Sequence, residues 1–182
     1  MTVMEIRRAR VEEAPDIAAA WLRSRNASAP DIPPPVHTDE EVRAWFATVV
    51  LPTRDVWVAD VDGTVAALLV LHDNWIDQLY VDPRHIGHGV GTDLVSLAKR
   101  MRPDGLRLWT FQANQRARRF YERHGFVPVE TTDGDNEEGA PDVRYEWRPP
   151  VREMPPRRLS DVAHPAPGAG METGGDELRA MD

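Results

Sequence analysis

Three glycines at alternate positions, Gly87, Gly89 and Gly91, stand between a strand-like run and a helix-like run. Glycines cost backbone entropy, which indicates that bare main chain is needed there. Without side chains at these positions, successive N–H groups through Thr92 can converge on one anion, and the dipole of the helix adds to their effect. A pyrophosphate is the natural ligand of such a turn. A glycine-rich turn that holds no ligand is the alternative.

The spacing of these glycines differs from the two common nucleotide-binding patterns. A Walker loop requires a lysine after its last glycine, whereas Gly91 is followed by Thr92. A dinucleotide fingerprint requires G-x-G-x-x-G in an early parallel βαβ unit, whereas this chain has G-x-G-x-G after three predicted antiparallel strands. The glycines therefore predict an anion site of another type.

A second group of residues follows one predicted helix and one predicted strand later, in the run ANQRARRFYERHGF. Asn114 comes directly after the strand, Phe120 and Tyr121 lie on the next helix, and Gly125 ends that helix. A tyrosine hydroxyl can donate a proton to a departing group. On an amphipathic helix, Tyr121 can equally be a core residue.

The two groups together resemble the GNAT superfamily of acetyl-CoA-dependent N-acetyltransferases, from about Met4 to Trp147. The resemblance rests on LYVDP, on GHGVG before a helix, and on N-x-x-A-x-x-F-Y-x-x-x-G-F. It implies an α/β fold with a mixed, mostly antiparallel sheet flanked by helices. It also implies transfer of the acetyl group of acetyl-CoA to a primary amine of a small molecule, peptide or protein. A catalytically inactive CoA-binding regulatory or interaction module of the same fold is the alternative.

The resemblance implies a role for each matched position of the cofactor site. The main chain of residues 79–81 would pair with the pantetheine arm as an added strand. Amides of residues 87–92 would bind the pyrophosphate, and Asn114 would hydrogen-bond the cofactor. The family usually has Arg or Gln at the position of Ile86, so one polar side chain is missing here. The residues expected to bind acetyl-CoA are Leu79, Tyr80, Val81, Gly87, His88, Gly89, Val90, Gly91, Thr92 and Asn114.

Acetyl transfer to an amine needs a proton acceptor, a stabilised thioester oxygen and a proton donor for the thiolate. Asp77, directly or through water, could accept the proton. A backbone amide near Leu79 could stabilise the oxygen, and the resemblance places Tyr121 near the sulfur as the donor. Strand alternation predicts that Trp75, Asp77, Leu79 and Val81 share one face, where a carboxylate is unusual. A paired or exposed structural acid is the other interpretation of Asp77.

The composition limits the partners of the chain. Its 22 Lys+Arg against 30 Asp+Glu give a net charge of −8, which disfavours nucleic acid and favours cationic acceptors. The absence of cysteine excludes thiolate metal sites and disulfides. His85 and His88 lack a third nearby ligand, so no metal is expected. No apolar run approaches a membrane span, and the start is too polar for a signal peptide, so we expect a cytoplasmic monomer or homodimer without a membrane partner.

The elements that position these residues are predicted in the order β α α β β β α β α β β. Asp62-Gly63 predicts a hairpin turn, and Thr38 with Glu41 predicts a capping box before the second helix. The predicted apolar stripe of that helix is Val42, Trp45, Phe46 and Val49.

The chain is predicted to divide into an acetyltransferase domain, 1–148, and a C-terminal tail, 149–182. The tail is rich in proline and glycine and contains no aromatic residue. Such a segment cannot bury enough apolar area to offset the entropy of ordering it, so we expect it to be flexible.

Overall fold

The computed structural model describes residues 4–30 and 32–150 of the 182-residue chain. Nearly all of the predicted tail, 149–182, lies outside the described residues, so its flexibility and the domain boundary at 148 stay predictions. The strands are β1 (Met4–Arg8), β2 (Asp55–Val61), β3 (Thr64–His72), β4 (Trp75–Val81), β5 (Leu106–Phe111), β6 (Val127–Thr132) and β7 (Asp142–Trp147). The α-helices are α1 (Ala14–Ala27), α2 (Asp39–Trp45), α3 (Leu51–Thr53), α4 (Val90–Met101) and α5 (Gln115–Arg123).

The strands form one 7-stranded sheet in the order β1-β2-β3-β4-β5-β7-β6. Every neighbouring pair is antiparallel except β4 and β5, which are parallel. This confirms the predicted α/β fold with a mixed, mostly antiparallel sheet. The predicted order of elements is confirmed as well, with the second helix continued by the π-helical turn Phe46–Val50 and the short α3.

Helices cover the sheet on both faces. On one face, α1, α2 and the π-helical turn pack on β2 and β3, burying Ile17, Trp21 and Phe46. On the other face, α4 and α5 pack on β3, β5 and β7 around Leu94 and Phe126. β3 contributes alternate side chains to both clusters, which explains why its sequence is almost continuously apolar. We call these the α1 face and the α4 face of the sheet.

Two local predictions are confirmed. The Glu41 N–H donates to Thr38 Oγ1 over 3.2 Å, and the Thr38 N–H donates to Glu41 Oε2 over 2.8 Å, which completes the capping box. Asp62 and Gly63 both have positive φ, 50° and 80°, as a two-residue type I′ hairpin turn requires.

The predicted stripe of the second helix is wrong at its end. Val42 and Phe46 are buried, but Val49 is exposed and Val50 faces the core. The π-helical turn from Phe46 to Val50 adds one residue to the turn. The buried position after Phe46 is therefore Val50 and not the predicted Val49.

The sheet opens between β4 and β5. Their ladder contains one registered pair, Trp75 with Arg107, beside which the Arg107 N–H donates to the Asn74 carbonyl over 2.9 Å. β3 and β4, in contrast, remain paired as far as Val81. The edge of β4 that faces β5 is therefore left without a strand partner beyond Trp75.

Candidate active site

The exposed edge of β4 offers main-chain groups to a ligand. The Asp82 N–H donates to the Ala66 carbonyl over 2.7 Å, so the main chain of Asp82 points toward β3. Main-chain direction alternates along a strand, so Tyr80 also points toward β3, whereas Leu79 and Val81 point toward β5. Because β5 has separated from β4 at this level, the N–H and C=O groups of Leu79 and Val81 line the opening. An extended ligand can pair with them there as a strand would.

The glycine loop continues from this edge into the first turn of α4. The first intrahelical bond of α4 runs from Asp93 N–H to the Gly89 carbonyl over 3.0 Å. The preceding Ile86 amide donates to the Pro83 carbonyl. Between these two bonds, no acceptor for an amide of residues 87–92 is found in the part of the chain that the structure describes. A row of unpartnered N–H groups at the start of a 12-residue helix suits a phosphate group.

The three glycines of the loop serve two different purposes. Gly87 and Gly89 have φ values of 86° and 87°, a backbone conformation that residues with a Cβ rarely adopt. Gly91 lies in the helix, where a Cβ atom would come within 3.3 Å of the Phe120 ring. The first two glycines therefore shape the turn, whereas the third lets α4 pack closely against α5. All three still contribute their amides to the loop.

The strand-to-loop junction is fixed by Asp82, which is 1% exposed. Its carboxylate accepts hydrogen bonds from the backbone and guanidinium of Arg84 and from Arg23 Nε of α1, all near 3.0 Å. The bonds from Arg84 are the main cause that holds the pKa of Asp82 well below its usual value. These bonds fasten the beginning of the glycine loop to α1, and the unpartnered amides of the loop follow this point.

Asn114 stands at the beginning of α5, on the opposite side of the opening. Its Oδ1 accepts the Ala117 N–H over 3.0 Å, so the carbonyl end of the side chain caps the helix. No bond of the Asn114 Nδ2 group is found within residues 4–30 and 32–150. The side chain thus retains its donor for a ligand, while the cap holds it in position.

Tyr121 of α5 is 7% exposed and packs in the core cluster of the α4 face. Its ring lies 5.3 Å from Phe120, 5.6 Å from Phe126 and 6.4 Å from Tyr145, between ring centroids. Burial, and secondly the neighbouring Tyr80, raise the pKa of Tyr121 far above its usual value. No hydrogen-bond partner of the Tyr121 hydroxyl occurs among the described residues. Tyr121 is therefore a core residue whose hydroxyl stays protonated and remains available as a donor.

The prediction that Asp77 shares a face with Leu79 and Val81 is wrong, because β4 contains a β-bulge. Val70 pairs with Gln78 and Leu71 with Ile76, so Asp77 has no partner in β3. The extra residue shifts the alternation: Leu79 and Val81 pack on the α4 face, whereas Asp77 turns to the α1 face.

Asp77 forms an ion pair with Arg54 on this face. Arg54 follows α3, and its guanidinium lies 5.5 Å from the centre of the Trp45 ring of α2. The side chains of Arg54 and Asp77 are 17% and 29% exposed. The next residue, Gln78, accepts a hydrogen bond from Trp21 Nε1 over 2.9 Å. The bulge therefore directs two consecutive side chains of β4 toward the α1–α2 layer.

The α1 side of the opening is closed by residues that the sequence motifs do not indicate. Arg25 of α1 is 7% exposed, and its Nη1 donates to the Tyr80 hydroxyl over 3.2 Å. Its Nη2 donates to Glu138 Oε1, on the loop between β6 and β7, over 2.5 Å. The one sequence signal for this arrangement is a cation four residues after Trp21 on an otherwise apolar helix face. Nothing in the sequence pairs it with Glu138, 113 residues away.

The histidines of this region are not grouped with other potential metal ligands in the described residues. No cluster of three or more His, Cys, Asp or Glu side chains suited to a metal ion occurs in residues 4–30 and 32–150. His88 is exposed, and the Nδ1 atom of His85 lies 4.0 Å from Asp82 Oδ1 without a hydrogen bond. The same residues include no helix that is long and apolar enough to cross a membrane.

Comparison with known proteins assigns the family. The model of the acetyltransferase (GNAT) family matches residues 19–126, which include β4, the glycine loop and α5. The chain belongs to the GNAT acetyltransferase family. It is accordingly an acyltransferase that moves the acetyl group of acetyl-CoA to an amine, as the resemblance implied.

Individual relatives agree with this assignment. The chain is 35% identical over 138 residues to the peptidyl-lysine N-acetyltransferase YjaB of Escherichia coli, covering 74% of this chain and 89% of YjaB. The solution structure of apo YjaB from E. coli has a TM-score of 0.66 at 27% identity and covers 81% of this chain and 99% of that one. The Salmonella typhimurium acetyltransferase yncA with acetyl-CoA has a TM-score of 0.62 at 17% identity, covering 86% and 99% of the two chains, which shows a shared fold.

Proposed function

We propose that this GNAT enzyme acetylates lysine side chains of peptides or proteins, with acetyl-CoA bound across the opening between β4 and β5. The observation that carries the proposal is the unpaired edge of β4, which continues directly into the unpartnered amides of residues 87–92. The name of the YjaB relatives, peptidyl-lysine N-acetyltransferase, supports the choice of acceptor. The net charge of −8 also favours a cationic acceptor over an anionic one.

Acetyl-CoA would bind mainly to main chain. The amide-rich pantetheine arm would pair with the C=O group of Leu79 and with the N–H and C=O groups of Val81, which leaves the Leu79 N–H for the thioester oxygen. The pyrophosphate would accept hydrogen bonds from the amides of residues 87–92, where the positive end of the α4 dipole adds to the attraction. The Nδ2 group of Asn114 would donate to the arm from the other side of the opening. Because Ile86 has no polar side chain, the phosphates would depend more heavily on these amides.

The chemistry requires charge to move from the amine to the sulfur. The amine nitrogen would attack the thioester carbon, and the developing oxyanion would accept a hydrogen bond from the Leu79 N–H. The C–S bond would then break, with the Tyr121 hydroxyl donating a hydrogen bond to the sulfur as negative charge builds there, and the released thiolate would take its final proton from solvent. Burial raises the pKa of Tyr121, which makes it a weaker acid but keeps the phenol protonated and able to donate this hydrogen bond.

Asp77 is the proposed proton acceptor for the amine, through water. The bulge supports this role because it turns the carboxylate to the α1 face, from which an acceptor would approach. The ion pair with Arg54 supports the other interpretation, in which Asp77 fastens β4 to the segment after α3. Substitution of each partner separates the two roles, as described in the Discussion.

Release of free CoA thiol from acetyl-CoA tests the function, with lysine-containing peptides, free amino acids and small amines as acceptors. We expect turnover with lysine peptides, and mass spectrometry should place one added acetyl group on the lysine side chain. The same peptides with acetyl-lysine in place of lysine serve as the control. Turnover confined to small amines would contradict the proposed acceptor, and CoA binding without turnover on any amine would favour an inactive CoA-binding module.

A cytoplasmic location stays a prediction from the sequence.

A further inference from the structure

Arg25 occupies a cation site built from aromatic rings and a carboxylate. Its guanidinium carbon lies 5.6 Å from the centre of the Trp21 ring and 5.3 Å from that of Phe111. The Tyr80 hydroxyl and Glu138 Oε1 accept its hydrogen bonds. Burial alone would lower the pKa of Arg25, but the interactions with Tyr80 and Glu138 outweigh it and raise the pKa. Such an enclosure stabilises a positive charge.

This site spans the opening in the sheet. Tyr80 is near the end of β4 and Phe111 is the last residue of β5, the two strands that separate after Trp75 and Arg107. Arg25 reaches both of them from α1. An amine that approaches the thioester from the α1 face must therefore pass the guanidinium of Arg25 or take its place.

The loop between β6 and β7 is held over the opening by two side-chain contacts of different character. Glu138 forms an ion pair with Arg25, and the side chains are 19% and 7% exposed. Glu137 Oε2 lies 3.2 Å from Nε2 of His37, in the segment between α1 and α2, and these side chains are 74% and 55% exposed. An exposed contact of this kind contributes little to stability, whereas a largely buried carboxylate depends on its cation.

The bonding of Arg25 is incomplete. Its Nε atom is buried and has no hydrogen-bond partner in the described part of the chain. Because one buried N–H of the Arg25 guanidinium is unsatisfied, replacing Arg25 by another cation in this site costs less free energy. A lysine ammonium has three donors on a flexible chain and can satisfy a carboxylate and a hydroxyl together.

We propose that Glu138 recognises the positive charge of the acceptor lysine, and that Arg25 takes the place of the acceptor when the site is empty. This inference rests on the proposed function, because it assumes a cationic amine as acceptor. The acceptor ammonium displaces the Arg25 guanidinium from Glu138 and lies near Trp21, Phe111 and Tyr80. It then loses its proton through water to Asp77, and the neutral amine attacks the thioester carbon through the opening. Glu138 therefore determines specificity for charged amines.

Steady-state kinetics of the full chain with a lysine peptide and with a small cationic amine test this role. Glu138→Gln should raise KM for both cationic acceptors by at least about tenfold, since the carboxylate charge is lost and only a neutral amide oxygen remains to accept from the ammonium. KM for acetyl-CoA should change by less than about twofold, because the cofactor lies on the other side of the opening. Glu137→Gln, one residue away, is the matched control and should leave both constants unchanged.

Two further measurements separate recognition from structural support. Arg25→Gln should lower KM for the lysine peptide, because the internal cation no longer competes for Glu138. A peptide whose lysine ends in an alkoxyamine, which is uncharged at neutral pH, should be insensitive to Glu138→Gln. The double variant Arg25→Gln/Glu138→Gln removes both charges together, so that neither is left unpaired, and it should still show the raised KM.

The opposite results would overturn the inference. Equal effects of Glu138→Gln on charged and uncharged acceptors, or changes of KM in the same direction in both single variants, would show that the ion pair only supports the loop. The proposed function fails separately, when the unaltered chain acetylates the small cationic amine but no lysine peptide. Glu138 is then still tested with that amine, whereas a chain that acetylates only uncharged amines would contradict both proposals.

Discussion

The two sides of the opening between β4 and β5 are built from different chemical groups. On the cofactor side, the available groups are main chain: the edge of β4 and the unpartnered amides of residues 87–92. On the acceptor side, side chains fill the space, with Arg25, Tyr80 and Glu138 already bonded to one another. The cofactor side presents polar main chain because glycines replace larger residues in its loop, whereas the acceptor side contains the guanidinium of Arg25.

In the proposed mechanism, the cofactor side binds acetyl-CoA, which is the same for every acceptor, and the acceptor side determines which amine reacts. A pyrophosphate and an amide-rich arm can be bound by main chain from one contiguous stretch, so a short motif specifies the whole surface. In the proposed acceptor site, recognition of an amine would depend on side chains from α1, β4, β5 and the loop between β6 and β7, which meet at Arg25. We therefore expect substitutions on the cofactor side to affect every acceptor alike, and substitutions on the acceptor side to discriminate among acceptors.

The largest expected effect is that of Tyr121→Phe, in the core cluster of the α4 face. Removing the hydrogen-bond donor should lower turnover by about 10- to 100-fold with every acceptor, at the low end of general acid catalysis. Thermal stability should not fall, because the Tyr121 hydroxyl has no hydrogen-bond partner among the described residues and the ring is retained. Single-turnover kinetics and thermal denaturation measure the two quantities.

Tyr145→Phe is the matched control for this substitution. The Tyr145 hydroxyl accepts from Arg118 over 3.2 Å and donates to Glu122 over 2.7 Å, so its loss should lower stability by about 1 kcal/mol or more. Turnover should be retained. Normal turnover of Tyr121→Phe, under conditions where chemistry limits the rate, would show that Tyr121 is only a core residue.

Gly89→Val tests whether the cofactor side depends on backbone conformation. A Cβ atom at Gly89 would meet nothing within 4 Å, so the expected defect comes from the φ of 87° that a β-branched residue rarely adopts. The loop should relax and misdirect its amides, and calorimetric titration should show CoA affinity reduced by at least about tenfold.

Gly63→Val provides a matched control, because Gly63 also has a positive φ, 80°, and open space around it, but lies in the β2–β3 hairpin. It should cost similar stability and leave CoA affinity unchanged. Equal CoA affinities of the two folded variants would contradict a phosphate site at residues 87–92.

Asp77→Asn and Arg54→Gln distinguish a base from a structural ion pair. If the carboxylate accepts the proton through water while shared with Arg54, Asp77→Asn should reduce turnover by about tenfold, below the usual range of a direct base. Arg54→Gln should reduce turnover by less than about twofold, since the carboxylate remains. Similar losses of turnover and melting temperature in both variants would establish the structural role.

The smallest effect is expected from alkaline pH. Burial, followed by the proximity of Tyr80, raises the pKa of Tyr121 above that of the same residue in the unfolded chain. The protonated donor therefore persists in the folded enzyme as pH rises through the ordinary phenol range near pH ~10. The rate of the chemical step should show no descending limb between about pH 8 and pH 10. A limb that Tyr121→Phe abolishes would show that this phenol ionises in the ordinary range.

The sequence predicted the fold because its elements depend on local patterns. Alternating apolar residues, Asp62-Gly63 and the Thr38–Glu41 box each act within a few residues. The glycine loop is equally local, although its three glycines prove to have two different functions: turn conformation at Gly87 and Gly89, and close packing at Gly91.

The acceptor side could not be predicted in the same way. The β-bulge at Asp77 depends on how β3 and β4 pair, and periodicity alone cannot place an extra residue. The π-helical turn at Phe46–Val50 has the same effect on a helix stripe. The pair of Arg25 and Glu138 forms only once α1 and the β6–β7 loop meet across the opening. The one indication of this pair in the sequence is Arg25, a single cation on an otherwise apolar face of α1.

An NMR titration of the uniformly ¹⁵N-labelled chain with CoA tests the central claim, that main chain binds the cofactor and side chains bind the acceptor. We predict that the largest amide shifts occur at Leu79, Val81 and residues 87–92, while the Nε resonance of Arg25 and the amide of Glu138 move little. Subsequent addition of a lysine peptide should then shift those two resonances. Large CoA-induced shifts at Arg25 and Glu138, with the amides of residues 87–92 unmoved, would contradict the account.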